Sequence, residues 1–179
     1  MMAEILAQLY TDHLRVSRLL DLLEVETNKV ERGEPANYPI MALIMDYIYH
    51  YPDLIHPPLE DQIFAKLVEK DSQYAGLVEQ LRKEHQEMPV ISKRIAVLLA
   101  NIAGEAMTPR GLLIEECRHY IRLSLTHMHK EETAILPRTE QLFDEADETW
   151  RLGADHYDNT FRWLNRTSAC GHSLRFRFT

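Results

Sequence analysis

The chain has 179 residues, 45% of them hydrophobic, with only six glycines and a net charge of −8. That length suits one domain with a full core, and so few glycines argue against an all-β protein with many tight turns. The acidic balance and the lack of a basic run argue against a nucleic-acid partner, and no apolar run is long enough to span a membrane.

The N-terminus, MMAEILAQLY, carries Glu4 and no basic stretch, so it does not read as a secretory leader. Cys117 and Cys170 do not suggest a disulfide framework. Together these point to a reducing, cytoplasmic setting.

Apolar periodicity predicts a first helix over about 3–30, with Leu9, Val16, Leu20 and Leu23 on one stripe and a stop at Gly33 and Pro35. A second helix is predicted over about 38–70, with Met45, Tyr49, Ile63 and Leu67 on its stripe. Pro52, Pro57 and Pro58 lie inside it and imply a kink or short interruption, since proline removes a backbone donor and crowds the preceding turn. A third helix is expected over about 72–103, entered through the capping residues of DSQYAG. The fourth starts at TPRG, with Thr108 as N-cap and Pro109 at the first helical position, and runs to about 146. A shorter fifth helix follows over about 147–166, expected to pack across one end of the bundle or at a dimer contact. Residues 167–179 lack periodicity and read as a flexible tail. No internal repeat is apparent. The fold expected is all-α: an up-down-up-down four-helix bundle over 1–146 with a short C-terminal helix.

The apolar stripes are interrupted by chemistry-bearing residues. His13 falls on the first stripe, His56 and Glu60 on the second, His85 on the third, and His127 and Glu131 on the fourth. Residues four apart on a helix project from one face, so each His-x-x-x-Glu pair offers an imidazole and a carboxylate inward. Singly, each histidine reads as a half-buried core residue. Chain counting sets them at one height. His13 and His56 each lie about 20 residues from the first turn, and His85 and His127 about 20 from the third, roughly 30 Å at 1.5 Å per residue. Buried together without a cation, these groups would each cost on the order of 2–7 kcal/mol. Four imidazoles and two carboxylates are too many for one tetrahedral zinc. They suit two ions bridged by the carboxylates, iron or manganese by preference.

On these residues the chain resembles the bacterial hemerythrin-like, or HHE cation-binding, domain proteins over roughly 8–142. TDHLRVSRLLDLLE, YPDLIHPPLEDQIF, RKEHQEM and HMHKEETAILP resemble the family's four helix motifs. The resemblance implies a four-helix bundle around a non-haem di-iron site, with Glu60 and Glu131 bridging. Oxygen-carrying members have two histidines four apart on the third helix; here Leu81 and Pro89 stand four either side of His85. The remaining set, His13, His56, Glu60, His85, His127 and Glu131, is similar to that of di-iron proteins that repair damaged iron–sulfur centres. Those carry an extra N-terminal cysteine-bearing domain for which these residues leave no room.

The expected function is binding or sensing of O2 or NO, or iron handling, by two iron ions, with manganese or zinc as substitutes. The alternatives are a di-iron enzyme acting on peroxide or NO, a repair factor for iron–sulfur centres, and a non-catalytic interaction module. A homodimer is compatible with the sequence. His50, His119, His129 and His156 are expected at the surface or rim, and Cys117 as a buried small hydrophobe. Tyr49 and Tyr120 read as core residues, with a hydrogen bond to a ligand as the other option. Cys170 and His172 are too few for a metal site.

Overall fold

A computed structural model describes residues 2–50, 56–144 and 147 of the chain. The first rod is α1 (Met2–Arg32). Gly33 ends it at φ 73°, where its amide and that of Glu34 turn back onto the carbonyls of Val30 and Lys29. This double closure needs a left-handed residue, and glycine adopts that conformation without a Cβ clash.

The second rod is built from two helices, α2 (Tyr38–His50) and α3 (His56–Lys70). The kink or short interruption expected near Pro52 falls at residues 51–55, outside the described residues. Pro57 and Pro58 lie within the described part of α3. Asn37 caps α2, its side chain accepting from the Ile40 amide at 3.1 Å.

A 3-10 turn, Ser72–Tyr74, leads into α4 (Ala75–Ala103), and Asp71 caps that turn by accepting from Gln73 N. Pro89 lies inside α4. The α5 helix (Arg110–Lys130) starts one residue later than its sequence signals suggest. Pro109 is its boundary residue, and the Thr108 hydroxyl donates back to the Ala106 carbonyl instead of capping. A π turn, Glu131–Ile135, then joins α5 to α6 (Leu136–Leu142), and Phe143 is extended. Pro137 has no N–H for the carbonyl four residues back, so the ladder must be rearranged here. Among the described residues there is no strand. The expected C-terminal helix and tail lie outside the described residues, apart from Asp147.

The rods stand in a bundle in which α1 packs on α5, α5 on α4, and α4 on α2. Its interior falls into two apolar clusters. One, the lower, joins Val16, Leu20 and Leu23 to Met45, Ile95, Leu99 and Cys117. The other, the upper, joins Leu6 and Leu9 to Ile63, Phe64, Leu67, Leu81 and Ile135. Between Leu9 and Val16 on α1, and between Leu81 and Met88 on α4, the core is polar. No described helix is long and apolar enough to cross a membrane.

Candidate metal centre

The polar layer contains His13, Glu60, His85, His127 and Glu131, all at least 93% buried. Donor atoms of Glu60, His85, His127 and Glu131 lie within 4.8 Å of one another. His13 joins them, with Nε2 3.3 Å from Glu131 Oε2 and 3.6 Å from Glu60 Oε1. His85 Nε2 lies 3.3 Å from Glu60 Oε2 and 3.8 Å from Glu131 Oε1. His127 Nε2 lies 3.1 Å from Glu131 Oε1. Five of the six residues singled out in the sequence thus converge on one space. The sixth, His56, opens α3 one turn before Glu60, and its side chain is not among those described.

The three imidazoles are held from behind. His13 Nδ1 lies 3.0 Å from Glu132, His127 Nδ1 2.9 Å from Glu84, and His85 Nδ1 3.4 Å from Asp61. A carboxylate at Nδ1 fixes the proton there and leaves the Nε2 lone pair facing the centre. Sequence reasoning missed these three acids. Each sits beside a site residue in the chain, rotated by one helical step toward the neighbouring rod, so a search along the inward stripe passes over it. Lys130 donates to the other oxygen of Glu84, which accepts a further bond from Gln80 at 2.9 Å.

Charge is strongly coupled across this layer. Burial would lower the pKa of His13, but the nearby carboxylates of Glu131 and Glu60, which favour the protonated ring, outweigh it and raise it to about 10. Burial is likewise outweighed at His85, raised to about 10 by Asp61 and Glu60, and at His127, raised to about 9 by Glu131 and Glu84. Glu131 is pushed up by burial and by Glu60, yet His127 and His13 hold it below the usual carboxylate range. Glu84 would rise through burial, but His127 and Lys130 bring it to about 2.

Protons alone satisfy this arrangement poorly. His85 Nε2 and His127 Nε2 are only 3.0 Å apart. With both Nδ1 atoms protonated toward carboxylates, neutral rings would set two lone pairs head-on. Charged rings would set two N–H groups head-on. Both Glu131 oxygens are buried without a well-formed hydrogen bond, although imidazole nitrogens stand close by. A cation accepting these lone pairs relieves all of these conflicts, and the nitrogen and oxygen donors suit a transition metal.

The remaining histidines are elsewhere. His50 is exposed and pairs with Asp46 at 3.3 Å, while His119 lies 3.6 Å from Glu87 at the surface. His129 is exposed, and His156, Cys170 and His172 lie outside the described residues. Cys117 is fully buried in the lower apolar cluster. Tyr120 is buried and borders the centre, whereas Tyr49 borders a surface groove with Val90 and Val97.

A family model described as the hemerythrin HHE cation binding domain matches residues 4–139. No curated protein and no solved structure matches the chain.

Proposed function

The chain belongs to the hemerythrin HHE cation-binding domain family, and from that premise we propose that it is a non-haem di-iron protein whose centre binds a small diatomic, O2 or NO. His13, His56, His85 and His127 would be terminal ligands, and Glu60 and Glu131 bridges. The observation that carries this reading is the set of Nε2 atoms turned to one space by carboxylates at Nδ1. Two iron ions would supply one-electron chemistry toward O2, NO or peroxide, with manganese or zinc able to occupy the same donors.

The protein's own contribution is orientation and exclusion of water. The three Nδ1 contacts prevent ring rotation, so the donors are in place before the ion arrives. Val16, Met88 and Met128 wall the space on the side of the lower cluster. The Ser124 hydroxyl there is 3.6 Å from the Met88 sulfur. Such a lining suits a small neutral ligand better than a charged organic substrate. Six protein donors spread over two ions leave positions for that ligand. Leu81 and Pro89, neither with a side-chain donor, stand four residues either side of His85, where a further histidine would complete an oxygen-carrier set.

The test is metal content and ligand binding of protein purified without air. Wild type should hold two irons per chain, and exposure to O2 or NO should change its absorption and Mössbauer spectra stoichiometrically. His127→Ala and Glu131→Ala should fall well below two irons, and His119→Ala should not. Equal losses in all three variants would overturn the ligand assignment. Sustained consumption of peroxide or NO would favour an enzyme over a binding protein.

A further inference from the structure

The three acids that hold imidazoles from behind are not equivalent. Glu132, at Nδ1 of His13, has a side chain 38% exposed, and Asp61, at Nδ1 of His85, one 42% exposed. Water and salt screen charges placed so openly. Glu84, at Nδ1 of His127, is only 10% exposed.

The cations beside these acids differ as well. Arg82 Nε lies 3.5 Å from Asp61 and is itself 38% exposed. Among the described residues no lysine or arginine forms an ion pair with Glu132. Glu84, in contrast, is engaged on both oxygens. Oε2 lies 2.9 Å from His127 Nδ1, while Oε1 accepts from Lys130 Nζ and, at 2.9 Å, from Gln80. Lys130 is the last residue of α5 and crosses to Glu84 on α4. Its side chain is 21% exposed, so the pair is largely withdrawn from water. Charges act more strongly there than at the surface.

This placement has a consequence for the donor strength of His127. A carboxylate at Nδ1 pushes electron density into the ring and makes Nε2 the stronger ligand, which favours the more highly charged ion. A cation on the far oxygen of that carboxylate opposes the push. The field of the cation also disfavours the higher charge, so both effects have one sign.

We propose that Lys130 is a positioning residue that acts through Glu84 and His127 to bias the centre toward reduced iron, the state that O2 binds. Glu132 and Asp61, screened by water, orient their rings without such a bias. This inference rests on the metal-centre reading above.

The full-length chain tests it, loaded with iron and titrated reductively without air while absorption is followed. Lys130→Gln keeps a side-chain N–H for Glu84 but removes the charge. It should lower the midpoint potential, so that the ratio of Fe(III) to Fe(II) at a fixed potential rises about tenfold, or about 59 mV for a one-electron couple. Glu84→Gln keeps an oxygen for the His127 Nδ1–H but removes the opposite charge, and should raise the potential. Lys130→Arg should restore the wild-type value. Lys83→Gln, which removes a cation 71% exposed on α4, should leave it unchanged. Chelator competition with Co(II) then separates charge from scaffolding. Lys130→Gln should hold cobalt at least as tightly as wild type, because a repelling cation is gone. Weaker cobalt binding at an unchanged potential would mean that Lys130 only props Glu84 in place, and would overturn the tuning role. Potentials of Lys130→Gln and Glu84→Gln that move the same way, or not at all, would also overturn it and leave the metal centre standing. If Lys130→Gln does not fold, Lys130→Met, which keeps most of the aliphatic stem, takes its place with the same expected and overturning results. A wild-type chain that takes up neither iron nor cobalt would overturn both readings.

Discussion

At the scale of single residues, the centre depends on acids that do not face it. Glu132 illustrates this best. Its side chain is 38% exposed, yet one oxygen lies 3.0 Å from His13 Nδ1. Glu132→Gln should therefore leave the metal-free fold within about 0.5 kcal/mol of wild type, as expected for a surface change. It should nonetheless weaken metal binding about 10- to 100-fold. Urea denaturation of the metal-free protein and chelator competition of the loaded protein would separate the two effects; parallel losses in both would argue for a packing role instead. The inward donors were legible in the sequence because helical periodicity and chain counting place them without knowledge of which rods are neighbours. The outward acids were not. A residue one position along is rotated by about 100°, and what it meets depends on which rod stands beside it.

At the scale of elements, the rods were legible and their punctuation was less so. The second rod was expected to carry a kink or short interruption at its prolines, and the residues where that would fall, 51–55, lie outside the described ones. The π turn at Glu131 has no periodic signature of its own. The third connection was misleading in a different way. Gly104 stands at the end of α4, but the residue that turns left-handed is its neighbour, Glu105, at φ 57°. The Glu105 amide reaches the Ile102 carbonyl, and the Ala106 amide reaches that of Asn101. A left-handed residue with a Cβ costs roughly 1–2 kcal/mol relative to its preferred conformation. Glu105→Gly should recover about 1 kcal/mol of this, partly offset by greater freedom of the unfolded chain, and should be read as a higher urea midpoint at unchanged slope. The first connection depends on a charge instead. Glu26 is buried and accepts from the Asn37 amide at 2.7 Å and from Lys29 at 2.6 Å. The Asn37 bond first, and then Lys29, hold its carboxyl below the usual range. A depressed folded pKa contributes stability that is present above the unfolded value and lost as pH falls through the folded one. Glu26→Ala should therefore cost about 1.5–3 kcal/mol at pH 7. The gap to wild type should narrow as pH drops below the ordinary carboxylate range, and a gap that held constant in acid would show the cost to be packing alone.

At the scale of the whole molecule, the polar layer divides the core, and the two parts are not equally secured. The lower cluster joins α1, α2, α4 and α5, and includes Leu20, Leu23, Met45, Ile95, Leu99 and Cys117, each 2% exposed or less. The upper cluster is smaller and relies on α3, the start of α4 and the short α6. The rods of the upper half are further tied by Arg138 on Asp71 at 2.9 Å and by Lys70 on Asp147 at 2.8 Å, both near the surface. Such pairs contribute little on their own. A metal held by donors from all four rods would thus act as the main crosslink at the base of the upper half. Its removal leaves the lower core intact, but exposes the upper half to the mutual repulsion of buried donors. Removing the metal should accordingly lower stability unevenly. Backbone amides in α3 and α6 should exchange with solvent at least about tenfold faster in the metal-free protein, which corresponds to about 1.4 kcal/mol of local opening. Amides of α2 and of the second half of α4 should change much less. Mass-resolved hydrogen exchange on metal-free and reloaded protein would read this directly. Uniform acceleration along all four rods would mean that the bundle opens as one unit, so that the division of the core has no energetic consequence.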